Sequence, residues 1–120
     1  MPPRGRTSPE VAALRTATER ICTQLADKAR AQARRIRAGD AGELTEADVV
    51  RIGAEIADAA RAQLDGVVPD RQSFLADPEL QATRREAAAL MAAAEREVDA
   101  LLREAWRARH GKAPRRRWRR

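Results

Sequence analysis

Five arginines and one tryptophan end the sequence: Arg115, Arg116, Arg117, Trp118, Arg119 and Arg120, set off by Pro114. A guanidinium is planar, permanently charged and able to fork onto two phosphate oxygens at once, so closely spaced arginines suit phosphate binding. Such a cluster displaces counterions from a polyanion. The resulting affinity falls steeply with salt and depends little on sequence. An indole among guanidiniums adds a flat face for stacking on a base, worth about 1–3 kcal/mol per base. Arg107, Arg109 and Lys112 extend the run, so residues 107–120 hold eight basic residues and no acid. Nucleic acid, DNA ahead of RNA, is the first expectation. Arg and Trp also act together at anionic headgroups, and an acidic protein would satisfy the same charges.

Arginine is abundant throughout: only Lys28 and Lys112 among the 24 basic residues are lysines, and 27 residues are alanine. A compositional bias of that kind could fill a tail with arginine at no functional gain. The distribution of charge argues otherwise. Ten basic residues lie in the two ends, Arg4 and Arg6 among them, which leaves 14 against all 18 acids in residues 7–106, a charge of −4. A mildly acidic body with two basic ends points to an anionic partner.

Other chemistries are poorly supplied. Cys22 is the only cysteine and His110 the only histidine, so there is no disulfide within the chain and no His/Cys zinc set. A nucleophilic Cys22 would need His110, far along the chain, as its base. Glu95 and Asp99 share a helix face as a solvated acid pair, and no histidine completes a metal set with them. No phosphate-loop pattern occurs. The expectation is a protein without catalytic residues, metal or cofactor. No apolar run approaches the roughly 20 residues of a membrane span, and the N-terminus lacks the apolar core of a signal peptide. A soluble, cytoplasmic setting is expected.

The elements that must carry these charges are helices. Pro2, Pro3 and Gly5 mark residues 1–7 as a disordered basic arm. Ser8-Pro9-Glu10 is a helix start: a capping hydroxyl, a proline suited to the first turn and an acid at the positive dipole end. Val11, Leu14, Thr18, Ile21, Leu25, Ala29, Gln32 and Ile36 follow at steps of three and four, predicting a helix over 9–38 that Gly39 ends. In LTEADVV, Thr45 caps, Asp48 completes a variant capping box, and Leu44 and Val49 are placed as a hydrophobic staple. This second helix is predicted over 46–65, stopped by Gly66. Phe74 and Leu75 are expected to form a short helical turn that plugs one end of the core. Asp77-Pro78-Glu79 repeats the start logic, and a third helix is predicted over 78–110, about 50 Å long at 1.5 Å per residue, with Gly111 as its stop. Residues 8–110 thus form one all-α domain, and 111–120 the Arg/Trp-rich tail.

LTEADVVRIGAEI resembles the first helix of many helix-turn-helix motifs in its cap and apolar spacing. The apolar stripe nevertheless runs on to Asp65, where a turn should follow Gly53; only a break at Gly53 would restore that reading.

Two arrangements fit three such helices. In a three-helix bundle with a short first turn, the third helix returns parallel to the first. The C-terminal basic runs then meet: Lys28, Arg30, Arg34, Arg35 and Arg37 with Arg103, Arg107 and Arg109. In an elongated hairpin of the first and third helices they separate. Arg34, Arg35 and Arg37 join the tail as candidate phosphate contacts, although cations near a helix C-terminus also simply complement its dipole. Trp106 is expected to cover the bundle end or an interface, and Cys22 to be a structural thiol at least half-buried. The core is thin, since alanine buries little area. Leu90, Met91, Val98, Leu101 and Leu102 make a stripe wide enough for both a core and a partner, so a homodimer or docking onto a larger protein is expected. An accessory DNA-binding protein and an adaptor whose tail meets an acidic protein or anionic lipid are the two function classes.

Overall fold

The computed structural model describes residues 8–67 and 75–110. Among the described residues three long helices follow in order, α1 (Pro9–Ala38), α2 (Glu46–Asp65) and α3 (Pro78–His110), and Leu75 and Ala76 are also helical. Among the described residues there is no strand. The arm 1–7, Phe74, the Gly111 stop and the tail 111–120 lie outside the described residues.

Each helix starts where its side chains can satisfy backbone N–H groups that have no partner inside the helix. The Ser8 hydroxyl accepts from the Val11 N–H at 3.2 Å, with Pro9 next to it in the first turn. At α2 the capping box is reciprocal: the Asp48 N–H donates to Thr45 Oγ1 at 3.1 Å, and the Thr45 N–H to Asp48 Oδ2 at 2.9 Å. The Asp77 carboxylate receives the N–H groups of Glu79 at 3.0 Å and Leu80 at 3.3 Å. The end of α1 is equally defined. Gly39 takes φ 81°, the left-handed conformation that a glycine adopts without strain. Its N–H and that of Asp40 then close on the Ile36 and Arg35 carbonyls at 3.2 and 2.9 Å, a Schellman ending.

Contacts between the helices settle the choice between bundle and hairpin. Val11 and Leu14 cluster with Leu80, Arg15 pairs with Glu86, Cys22 Sγ lies 3.9 Å from Met91 Sδ, and Gly39 lies against Arg109. Both residue numbers rise together, so α1 and α3 run parallel. Against α2 they run in opposite senses: Arg61 meets Glu95, and Glu46 meets Arg103. α2 therefore returns the chain antiparallel along the α1–α3 pair. The fold is the three-helix bundle and not the hairpin.

The core is narrow. Leu14, Ile21, Leu25, Leu80 and Leu102 are its largest fully buried side chains, and alanines such as Ala29, Ala87 and Ala105 fill much of the remainder. Small side chains let helix axes approach closely. Thr18 and Thr83 are buried without cost because each hydroxyl donates to the carbonyl one turn back, Leu14 at 2.7 Å and Glu79 at 2.9 Å.

Two expectations are sharpened and one needs correction. Helix α2 is unbroken at Gly53, which sits buried where a Cβ would meet Leu102 Cδ1 at 3.4 Å and Val98 Cγ1 at 3.7 Å. That glycine marks a close approach of α2 to α3, and the break that a helix-turn-helix would need is absent, as the stripe running on to Asp65 implied. Gly66 ends α2 in right-handed geometry, φ −69° and ψ −16°, so the stop does not use glycine's special freedom. Leu75 is helical together with Ala76, as the expected short turn required, but it is 57% exposed and does not plug the core.

Two outcomes follow. Gly53→Ala places a methyl at ordinary contact distance and removes a flexible residue from a helix interior, so it should stabilise by about 0.5–1 kcal/mol, read as a raised urea midpoint. Asp48's carboxyl is held below its ordinary 3.8, first by the Thr45 backbone hydrogen bond and then by the Thr45 side chain and Arg51. A depressed carboxyl stabilises the fold above its unfolded value and loses that contribution as pH falls through the folded one. The stability gap between wild type and Asp48→Asn should therefore be full near neutrality and close in acid, measured by urea unfolding across the pH range.

Candidate functional site at the basic end of the bundle

The parallel pair brings the C-termini of α1 and α3 to one end, with the start of α2 between them. A short set of contacts ties the three together. The Trp106 indole N–H donates to the Leu44 carbonyl at 2.7 Å, so α3 holds the α1–α2 turn. The indole packs on the core, and its ring centroid stands 5.1 Å from that of His110. Trp106 thus covers the bundle end, as its position suggested. Arg103 bridges two elements, with Nη1 3.3 Å from Glu46 Oε2 and Nε 2.9 Å from Asp99 Oδ2. The Arg109 guanidinium lies over the Gly39 cap, where an added Cβ would stand 2.6 Å from Nη2.

Around this scaffold Arg34, Arg35, Arg37, Arg107 and Arg109 are all exposed. Among the described residues, none of the five has a carboxylate within ion-pair distance. Among the described residues Arg35 reaches only the Gln32 side-chain oxygen, at 3.4 Å. Two helices ending side by side also present their negative dipole ends together, which favours cations there. The acids of this end are largely committed elsewhere: Glu46 to Arg103, and Asp48 to its cap and Arg51. Asp40, Glu43 and Glu104 remain to offset part of the charge.

The fold therefore brings together the five candidate phosphate contacts that are described. Lys112, Arg115, Arg116, Arg117, Trp118, Arg119 and Arg120 lie outside the described residues, in the stretch that follows His110.

The candidate interface stripe divides. Met91, Val98 and Leu102 are 3% exposed or less and fill the chain's own core. Leu90 is 54% exposed, and Leu101 is half-buried. Both line a groove of about 470 Å³ between α1 and α3, to which α2 contributes no residue. Cys22 lies in the same groove, half-buried, its thiol pushed above the ordinary value by burial.

Some residues gave no sign in the sequence. Arg61 forks onto Glu95, with Nε 2.6 Å and Nη2 2.5 Å from the two carboxylate oxygens, and clamps α2 to α3. Hydrogen bonding to Glu95, followed by its charge, raises the Arg61 pKa. This corrects the reading of Glu95 and Asp99 as a solvated acid pair, since Asp99 is likewise held by Arg103. Only the antiparallel register of α2 on α3 could have revealed the Arg61 clamp. Among the described residues, no group of three or more His, Cys, Asp or Glu is placed to hold a metal, and no helix is long and apolar enough to cross a membrane.

No family model matches this sequence, and comparison with curated proteins and with solved structures returns no match.

Gly39 is the residue on which this end turns. Gly39→Ala forces a Cβ into left-handed geometry, a cost of about 1–2 kcal/mol, and also meets the Arg109 guanidinium. It should lower the urea midpoint accordingly. Adding Arg109→Ala should recover the steric share alone, so a double-mutant cycle should show a coupling between the two positions while the backbone cost persists.

Proposed function

We propose that this chain is a small helical accessory protein that acts by binding nucleic acid, DNA before RNA and with little sequence preference, through its basic end. One observation carries the reading: Arg34, Arg35, Arg37, Arg107 and Arg109 converge at one end of the bundle, exposed and without carboxylate partners among the described residues. The sequence that follows from the same end adds Lys112, five further arginines and Trp118. The dipole of a helix terminus accounts for one or two cations. It accounts less well for two helices that bring theirs together and a continuation with eight basic residues from 107 onward and no acid. Trp118 favours nucleic acid over a purely electrostatic partner, because a base offers a stacking surface that an acidic peptide lacks.

Binding of the full chain, of a chain ending at Lys112, and of Arg34→Gln/Arg35→Gln/Arg37→Gln should be measured against duplex and single-stranded DNA at two salt concentrations. The full chain should bind both, more weakly at the higher salt. Truncation should cost the larger share. The triple variant should flatten the salt dependence by about one unit of logarithmic slope for each phosphate it no longer neutralises. Trp118→Ala should weaken single-strand binding by about 1–3 kcal/mol and leave the salt slope unchanged. No binding at low salt, or binding indifferent to truncation, would remove the reading. Vesicles of anionic lipid tested in parallel separate a headgroup partner from a nucleic acid.

A further inference from the structure

Charge is shared unequally among the three helices. Helix α1 holds seven basic residues against three acids, α2 two against five, and α3 six of each. The excess on α1 lies in its second half. From Arg20 to Ala38 the only acid is Asp27, against Arg20, Lys28, Arg30, Arg34, Arg35 and Arg37. That acid is already held by Arg30, whose Nη2 stands 2.8 Å from Asp27 Oδ1. Arg20 and Lys28 are exposed, and among the described residues neither has a carboxylate within ion-pair distance. The helix dipole does not account for these two. Its effect falls off within the last turn, and even Lys28 is more than two turns before Ala38.

At 3.6 residues per turn Arg20, Ala31, Arg34 and Arg35 fall close to one line down the helix, with Gln24 and Lys28 beside it. All six are exposed. Asp27 also falls on this strip, and Arg30 neutralises it. The borders carry acid. Glu19 and Glu97 stand in the α1–α3 groove on one side, and α2 on the other keeps Asp48 and Glu55 with Arg51. From the nucleic-acid reading above, we infer that the phosphate-binding surface continues from the basic end down the outer face of α1, with Arg20 and Lys28 as further backbone contacts. The strip from Arg20 to Arg35 is about 22 Å long, close to the rise of six nucleotides at about 3.4 Å each along one strand. A strand that meets Arg34 and Arg35 therefore has the length to reach Arg20.

The test measures binding of the full chain to duplex and single-stranded oligonucleotides over a series of salt concentrations, with circular dichroism as the check on folding. Arg20→Gln and Lys28→Gln should each lower the logarithmic salt slope by about one unit and weaken binding of all sequences alike. Ala31→Lys acts in the opposite sense. It adds a cation at an exposed position on the strip, so it should tighten binding and raise the slope by about one unit. Ala54→Lys adds the same charge at an exposed position of α2 and should do neither. Bound DNA should also shield the Lys28 amine from an acylating reagent, read by mass spectrometry. Ala31→Lys without a gain, or with a gain that Ala54→Lys matches, overturns the inference, as does Lys28 acylated equally with and without DNA. In those cases, binding that still falls on truncation at Lys112 leaves the nucleic-acid reading standing. No binding at low salt overturns both.

Discussion

Everything at the basic end of this bundle depends on α1 and α3 running in the same direction. Two parallel helices cannot be joined by a tight turn; the chain must travel back before the second begins. Helix α2 makes that return, and its 20 residues span about 30 Å. The register between α1 and α3 is then held along its length, from Val11 and Leu80 at one end through Cys22 and Met91 to Gly39 and Arg109 at the other. Parallel packing costs something. It aligns two helix dipoles, and their like ends lie side by side. Basic residues at the shared C-termini and acids in the first turns, Glu10 and Glu79, offset that cost.

Much of this fold was legible in the sequence, because the helices are bounded by local chemistry. Ser8, Thr45 and Asp77 act on backbone groups two or three residues away, so their effect is written in neighbouring letters. Gly39 is similar: its left-handed φ belongs to a local ending. Packing is another matter. The Arg61–Glu95 clamp joins residues 34 apart and depends on how α2 lies on α3. The same holds for Gly53, which resembles a weak point in a helix until the facing Leu102 and Val98 are in place. Leu75 misled because an apolar residue in a connector has no local rule that buries it; it is exposed.

The candidate site was legible in composition and illegible in geometry. That Arg34, Arg35 and Arg37 are basic needs no structure. That they stand with Arg107 and Arg109 required the direction of α3, which two arrangements left open. The stripe from Leu90 to Leu102 was ambiguous for a related reason. Two apolar lines run side by side on α3, one carrying Met91, Val98 and Leu102 and the other Leu90 and Leu101. Helical spacing alone does not say which of them faces the chain's own core.

The parallel alignment also gathers the exposed arginines of two helices at one end of the described molecule, where Asp40, Glu43, Glu46, Asp48 and Glu104 offset only part of their charge. Glu10, Asp77 and Glu79 stand at the end opposite Arg37 and Arg109. In the field gradient near any polyanion such a body feels a torque before it feels a contact. Were the proposed nucleic acid the partner, the body would turn to present its arginines within the screening length of the solution. Encounters would then be productive from a wider range of starting orientations, and the rate of association, more than its final strength, would carry the imprint of how α1 and α3 are aligned.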